Sequence, residues 1–316
     1  MFLLSAFNDF FPGSYTLKNN LTSVSSFTEG NYYICVSVFR GLVNSNSNGG
    51  ILSLYSSSKI VALVTDTSFF TCSSPNSNGG AILFSSATGS IALDRVCAYK
   101  CSTPFYFGQT LYSTSSNHSI LSSAMMTETG RSNFFLSNGH QLVKSLNISK
   151  SQCDYETTGS FYSPMTLVIT LSTFCDIVAT GYSTIYFYHN QGFINYTSFI
   201  KMSQNTASYG LVCVDNGGSS VSLRFFQCLF IDNIQNGYGS LFNQGPGAIY
   251  LTECFVPLNQ IGNVVVYSTI TSTLSFPLVY IDIMNCHIAT YSDKRYTQQS
   301  GSRVSKSFLL FISLVL

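Results

Sequence analysis

A strand-like segment that ends in Cys recurs along the chain, and this repeat constrains the fold more than any other feature. The clearest copies end at Cys228, Cys254 and Cys286, and each has apolar residues three and five positions before its Cys. Towards the N-terminus, the same position of the repeat is taken by Ser198, Cys175, Cys153, Met126, Cys101 and Cys72. The mean step is about 27 residues, and a period in this range is the signature of stacked repeats.

Glycine marks the same repeat a second time. A glycine follows the Cys position at Gly79, Gly108, Gly159, Gly181, Gly237 and Gly262. Two of these turns are near copies of each other, Asn48-Gly49-Gly50-Ile51 and Asn78-Gly79-Gly80-Ala81-Ile82. Because Gly and Asn accept positive φ, the two markers together predict short strands joined by tight turns.

The markers predict an all-β fold, a right-handed parallel β-helix (a solenoid) of about ten coils, because one unit cannot bury its apolar side alone and stacked units bury a continuous core. A β-sandwich is the alternative, although it does not explain a Cys at one position of each unit. We predict an N-terminal segment or cap at 1–29, the β-helix domain at 30–290, and a polar linker with an apolar tail at 291–316. The markers are weakest from Tyr112 to Gly139, where we expect an irregular loop to interrupt the stack.

Composition narrows the class of protein and of partner. Apolar residues make up 45% of the chain and charged residues only 9%, whereas charged residues are about 25% of a typical soluble domain. The net charge is +1, and no basic stripe alternates with aromatics, which argues against a nucleic-acid partner. Phe and Tyr are abundant beside many Val, Ile and Thr, and this combination favours strands.

Neither end of the chain carries a clear targeting signal. The apolar N-terminal residues lack a basic region and are soon followed by Asp9, so no signal peptide is evident. The apolar run at 308–316 is shorter than the roughly 20 residues that span a bilayer. Three interpretations stay open: the start of a truncated membrane anchor, the tail of a lipid-anchor signal behind Ser300-Gly301-Ser302, or a plain tail.

Two short motifs resemble those of a known repeat family. Gly79-Gly80-Ala81-Ile82 and Phe230-x-x-Asn233 are similar to the Gly-Gly-Ala-Ile and Phe-x-x-Asn repeats of the polymorphic outer-membrane proteins, which are β-helical surface proteins of the pectin-lyase-like class. Reduced copies occur at Gly49-Gly50-Ile51 and Val256-x-x-Asn259. The resemblance implies a pectin-lyase-like β-helix with a surface or adhesive role.

The cysteines allow two interpretations. Free Cys is small and apolar enough for a core, which favours buried thiols. Neighbouring coils lie about 4.8 Å apart, within the Cα separation of a disulfide, so bridges such as Cys153–Cys175 or Cys228–Cys254 are the alternative. Cys97 and Cys101 have Cys-x-x-x-Cys spacing, but zinc requires a second pair or a nearby His cluster. We therefore expect no metal and no cofactor.

Two carboxylates are the candidates for chemistry. Asp154 follows Cys153 and Asp176 follows Cys175, so a shared register would place both carboxylates one above the other on the outer surface. Carboxylates that close share a proton or recruit a cation. The alternative is that both are solvated and apart. The histidines are scattered and add no base to the pair: His118, His140, His189 and His287.

The leading functional hypothesis is a monomeric, non-enzymatic scaffold, secreted or at the cell surface, that binds a glycan or a protein along one face of the β-helix. Association with a membrane through the C-terminal tail is a further expectation. The alternatives are a carbohydrate-active lyase or hydrolase of the same fold, and a degenerate copy without activity. The outward-facing residues discriminate between them: aligned Asp, Arg or His favours the enzyme, and aligned Tyr, Asn and Thr favours binding.

Overall fold

A computed structural model describes most of the chain up to residue 270. The described residues are 3–46, 49–126, 129–153, 158–188, 191–205, 210–215, 222–236, 240–244, 248–257, 261–262 and 264–270. The predicted linker and tail at 291–316, Cys286 and His287 lie outside them.

The strands stack into four parallel faces, and each coil contributes a strand to successive faces. Face 1 contains β2 (Ser25–Phe27), β5 (Leu52–Tyr55), the first parts of β7 (Ile82–Tyr99) and β9 (Leu111–Leu121), β12 (Phe134–Ser137), β16 (Gly159–Tyr162), β20 (Ile185–Tyr188), β24 (Val212–Asp215) and β28 (Phe242–Gln244). Face 2 contains β1 (Thr16–Asn19), β3 (Gly30–Cys35), the first part of β6 (Ile60–Phe70), the middle of β7, the end of β9, β13 (His140–Lys144), β17 (Thr166–Thr170), β21 (Gly192–Asn195), β25 (Ser222–Phe226), β29 (Ala248–Thr252) and β30 (Val265–Val266). Face 3 contains β4 (Val38–Arg40), the ends of β6 and β7, β10 (Ala124–Met126), β14 (Asn147–Ser149), β18 (Thr173–Cys175), β22 (Ser198–Ile200) and β26 (Leu229–Ile231). Face 4 is short and contains β8 (Ser102–Thr103), β11 (Thr129–Gly130), β15 (Gln152–Cys153), β19 (Val178–Ala179), β23 (Ser203–Gln204) and β27 (Ile234–Gln235).

This arrangement is a right-handed parallel β-helix, which confirms the predicted fold class and rules out the β-sandwich. It has slightly fewer coils than the prediction of about ten. The expected interruption between Tyr112 and Gly139 is wrong, because β9 to β12 pair in register with the coils on both sides.

The interior is filled by rows of apolar side chains that repeat from coil to coil. On face 3, one inward row consists of Phe39, Phe69, Ala98, Met125, Ile148, Phe174, Phe199 and Phe230. The rings of Phe174 and Phe199 stack at 5.4 Å, and those of Phe199 and Phe230 stack at 4.7 Å. Each fully buried Phe contributes about 1.5–3 kcal/mol, so the rows supply the stability that a single coil lacks.

The corner between faces 2 and 3 follows one rule in coil after coil. Its first residue has positive φ and is Val36, Asp66, Arg95, Ser122, Ser145, Leu171, Tyr196, Gln227 or Glu253. The next residue points inward. Where it is Ser or Thr, its hydroxyl donates to the carbonyl two positions earlier, as Thr67 does to Thr65 (2.8 Å) and Thr197 does to Asn195 (3.0 Å), whereas Val96 and Leu146 fill the position with apolar side chains. Cys228 occupies this inward position in the coil after that of Thr197, and its thiol donates to the Phe226 carbonyl at 3.5 Å. Ser, Thr and Cys recur here because the turn leaves a carbonyl that needs a short donor.

The prediction of a single Cys position is wrong. Cys228 and Cys254 lie at the corner between faces 2 and 3, as the pairing of Leu229 with Phe255 shows. Cys72 and Cys101 lie instead at the corner between faces 3 and 4, one residue before the paired Ser73 and Ser102. At that second corner too, the thiol of Cys72 donates to a carbonyl two residues earlier, at 3.5 Å. Both corners accept a Cys in some coils, and the sequence therefore shows them as one, although Ile177 and Met202 take the second corner in other coils.

The glycine turns are confirmed where φ is positive. Gly79 has φ +73° and Gly108 has φ +71°, and an added Cβ would meet the carbonyl oxygen of Ile82 or Leu111 at 2.4 Å. Gly159 has another reason: it lies within β16, where a Cβ would meet the Phe134 ring at 2.4 Å. These positions require glycine for the turn or for the close approach.

The N-terminal residues cover the first coils. Phe7 of α1 (Leu3–Phe10) is fully buried against the outer side of face 2, where it packs with Tyr33, Leu63 and Ala92. Strands β1 and β2 already pair with the stack, so the β-helix begins within the segment that the sequence suggests as a cap.

Candidate functional site, an aromatic ladder on face 1

Face 1 carries two outward rows, because alternate residues of each strand point away from the core. The covered row is mostly buried and consists of Ser26, Ser53, Leu83, Tyr112, Phe135, Ser160, Tyr186, Cys213 and Asn243. The polar row beside it is half-buried to exposed and consists of Tyr55, Ser85, Thr114, Ser137, Tyr162, Tyr188 and Asp215. Tyr, Ser and Thr therefore dominate the accessible strip, with a single carboxylate in its last described coil.

Five rings from the two rows form a continuous contact across four coils, and we call this set (Tyr112, Phe135, Tyr162, Tyr186 and Tyr188) the aromatic ladder. Tyr112 stacks on Phe135 with ring centroids 4.9 Å apart, and Phe135 lies 4.9 Å from Tyr162. Tyr162 in turn lies 5.7 Å from Tyr186 and 5.1 Å from Tyr188. Phe135 and Tyr186 are buried, whereas Tyr112, Tyr162 and Tyr188 keep part of their surface in solvent.

The two ends of the ladder differ in charge. At one end, Phe107 packs 5.2 Å from Phe135, and the guanidinium of Arg131 lies 4.5 Å from the Phe107 ring centroid. At the other end, the Tyr186 hydroxyl donates to Oδ2 of Asp215 at 3.0 Å. Burial raises the pKa of Tyr186, so its hydroxyl stays protonated and holds the carboxylate in place. Rigid, half-exposed rings with fixed polar ends suit stacking against a flat ligand.

Alternation within the strand decides which rings reach the surface. In β20, Ile185 and Phe187 point into the core, and Tyr186 and Tyr188 point outward. In β16, Phe161 is fully buried and its neighbour Tyr162 is outward. An error of one residue in register would exchange the two sets.

Asp154 and Asp176 were expected to share a register position through Cys153 and Cys175. Cys153 instead pairs with Ala179 on face 4, and Cys175 pairs with Ser149 on face 3, so the assumed register is wrong. Asp154 itself lies outside the described residues.

Asp176 occupies the positive-φ corner after face 3, the position that Lys150 and Lys201 take in the adjacent coils. The neighbours of Asp176 in the stack at this corner are therefore cations.

The described carboxylates that do come together are Asp66 and Asp94, around Arg95. Arg95 donates from Nε and Nη2 to the two carboxylate oxygens of Asp66 at 2.7 and 2.8 Å, and from Nη1 to Asp94. Burial raises the pKa of Asp94. The guanidinium is held by both carboxylates, and this geometry is that of an ion-pair cluster rather than of a free acid and base. The spacing of Asp66 and Arg95, one coil apart, is the sequence signal for it.

The remaining predicted ligands are separated. Cys97 packs on the outer side of face 3 with Phe70 and Ala124, whereas Cys101 lies in the interior core. His118 is buried inside and His140 is exposed outside, while His189 lies outside the described residues. Within the described part of the chain, no group of three or more His, Cys, Asp and Glu side chains is placed to hold a metal ion.

No family model, curated protein or solved structure matches the chain in comparisons of its sequence and fold. Among the described residues, no helix is long and apolar enough to cross a membrane.

Proposed function

We propose that the protein is a non-enzymatic β-helix scaffold that binds glycans along the aromatic ladder of face 1. The observation that carries the proposal is the run of contacting rings from Tyr112 to Tyr188 beside a strip of Tyr, Ser and Thr hydroxyls. Aromatic faces pack against the apolar faces of sugar rings, and hydroxyl groups exchange hydrogen bonds with sugar hydroxyls. The strands of neighbouring coils are about 4.8 Å apart, so the hydroxyls repeat at a distance close to the length of one sugar unit.

The charge of the strip indicates the class of glycan. Among the described residues of the polar row, Asp215 is the one charged side chain, and its charge is negative. A polyanionic chain along this row would be repelled at that carboxylate, because like charges disfavour each other. Neutral glycans are therefore the expected ligands.

The resemblance to surface β-helices supports a location at the cell surface or in the secreted fraction. A lyase or hydrolase needs an acid and a base that converge on the substrate. The described outward rows of face 1 offer Asp215 alone, which favours binding over catalysis.

Removal of two exposed rings of the ladder tests the proposal. A screen of the full chain on an array of neutral and acidic glycans identifies the glycan with the strongest signal, and titration calorimetry gives its Kd. We expect Tyr162→Ser with Tyr188→Ser to raise that Kd at least about tenfold, because about 1.4 kcal/mol of stacking is lost.

Tyr250→Ser is the matched control, since Tyr250 is a half-buried, ring-stacked tyrosine on the outer side of face 2. Its Kd should equal that of the unmodified chain, and circular dichroism should show all variants folded. The proposal is contradicted if the chain binds no glycan of the array, or if Tyr250→Ser raises the Kd as much as the double variant does.

A further inference from the structure

Two cysteines lie directly above one another in neighbouring coils at the corner between faces 2 and 3. Leu229 pairs with Phe255, and the Phe255 amide donates to the Cys228 carbonyl at 2.9 Å, which places Cys228 and Cys254 at the same register position. Parallel neighbours are about 4.8 Å apart, inside the Cα separation of about 4.4–6.8 Å that a disulfide requires. Both residues are free thiols and fully buried.

The two thiols are oriented by similar contacts. The Cys228 thiol lies 3.2 Å from the Ile194 carbonyl and 3.5 Å from that of Phe226. The Cys254 thiol lies 3.5 Å from the Phe225 carbonyl and 3.4 Å from that of Thr252. Each thiol therefore lies inside the corner and contacts one carbonyl of its own coil and one of the preceding coil, so the two side chains are oriented alike.

The thiols also interact with each other, and this interaction makes them unequal. A hydrogen bond from Cys228 lowers the pKa of the Cys254 thiol, whereas burial raises the pKa of Cys228. The thiolate is the nucleophile in thiol–disulfide exchange. Cys254 is thus the attacking sulfur of the pair, and Cys228 is the resolving one.

We propose that Cys228 and Cys254 form a disulfide between neighbouring coils when the protein meets a low-molecular-weight disulfide such as oxidised glutathione. The Cys254 thiolate attacks one sulfur of the small disulfide, which gives a mixed disulfide and releases one small thiol. The Cys228 thiolate then attacks the Cys254 sulfur, which forms the Cys228–Cys254 bond and releases the second small thiol. Two protein thiols are oxidised, one small disulfide is reduced to two thiols, and the two thiol protons pass to the small thiols.

The position of the pair gives the bond a structural effect. Cys254 follows β29, which lies next to the last described strand of face 2, β30. In a solenoid each repeat contacts only its neighbours, so local opening can separate two adjacent coils without unfolding the rest. Such opening admits the small disulfide to the buried sulfurs. The bond then joins the two neighbouring coils covalently, which restricts the unfolded chain and stabilises their junction.

Peptide mapping after oxidation tests the inference. The full chain with Cys72→Ser, which removes the equivalent aligned pair of Cys72 and Cys101, is incubated folded with excess oxidised glutathione, alkylated and digested. We expect a peptide pair linked through Cys228 and Cys254, a mass lower by two hydrogens, and a rise in the thermal midpoint. Cys35 and Cys213 should stay alkylatable after denaturation, because Thr65, Tyr186 and Asn243 occupy their register positions in adjacent coils.

A Cys254→Ser variant separates the bond from other effects of the oxidant. Serine suits this corner, as Ser172 shows in the same position. The variant should fold and should gain no thermal stability from oxidised glutathione. The inference is overturned if Cys228 and Cys254 remain thiols, if Cys254 keeps a glutathione adduct, or if Cys35 and Cys213 are bridged to the same extent.

Discussion

Phe199→Ala is expected to lower the free energy of unfolding by about 3–5 kcal/mol, the typical cost of removing a buried aromatic ring. Phe199 is only 2% exposed, and its ring contacts Phe174, Phe225 and Phe230 at centroid distances of 5.4, 6.2 and 4.7 Å. Alanine would leave a cavity in the middle of the face 3 row, where strands above and below are held by the backbone ladder and cannot close it.

Phe105→Ala is the matched control, because Phe105 is 74% exposed. A surface substitution of this kind changes stability by no more than about 0.5 kcal/mol. Guanidinium denaturation of the unmodified protein, Phe199→Ala and Phe105→Ala measures the change in the free energy of unfolding for both variants. If Phe199→Ala lowers the free energy of unfolding by less than about 1 kcal/mol, the Phe199 ring is not enclosed by the other side chains of the face 3 row, and its placement there is contradicted.

The fold was predictable because residues at the same place in successive coils recur at a regular spacing in the sequence. Each coil returns to the same corners, and neighbouring coils can place the same residue there, such as Cys228 above Cys254 or Gly79 above Gly108. The same similarity between corners made the register of the coils impossible to read from the sequence. Two different corners of the coils can each hold a small donor after a positive-φ residue, so Cys72 and Cys228 look equivalent in the sequence although they lie at different corners.

The aromatic ladder was not predictable at the level of residues. In a strand such as Phe161-Tyr162, composition does not determine which ring faces the core, and a shift of one residue reverses the answer. The register error also produced the pairing of Asp154 with Asp176. The cluster of Asp66, Asp94 and Arg95 was missed for a different reason. The coils were aligned by their Cys and Gly residues, and no Cys or Gly occupies the positions that bring these three side chains together.

Acid is expected to destabilise the protein through His118. The imidazole is 1% exposed in the interior, where Nε2 donates to the Ser137 carbonyl at 3.1 Å and Nδ1 accepts from the Ser113 hydroxyl at 2.9 Å. Both ring nitrogens are satisfied by the neutral form. Burial lowers the pKa of His118 to about 4, against about 6.5 in the unfolded chain.

The direction of the pH effect follows from proton binding. Between pH 6.5 and 4 the unfolded chain binds a proton at His118 and the folded chain does not, so stability is lost as the pH falls through this window. From pH 7 to pH 5 the loss from this one residue is about 2 kcal/mol.

Urea denaturation at pH 7 and pH 5 measures the loss, and His118→Gln should remove about 2 kcal/mol of the difference between the two pH values. Glutamine fits this inward row, since Gln141 occupies the same position in the next coil. His140→Gln is the control for the substitution itself, because His140 is exposed on the outer side of face 2. If His118→Gln retains the full pH dependence, protons reach the imidazole in the folded protein. That result would contradict the burial of a neutral His118 between Ser113 and Ser137.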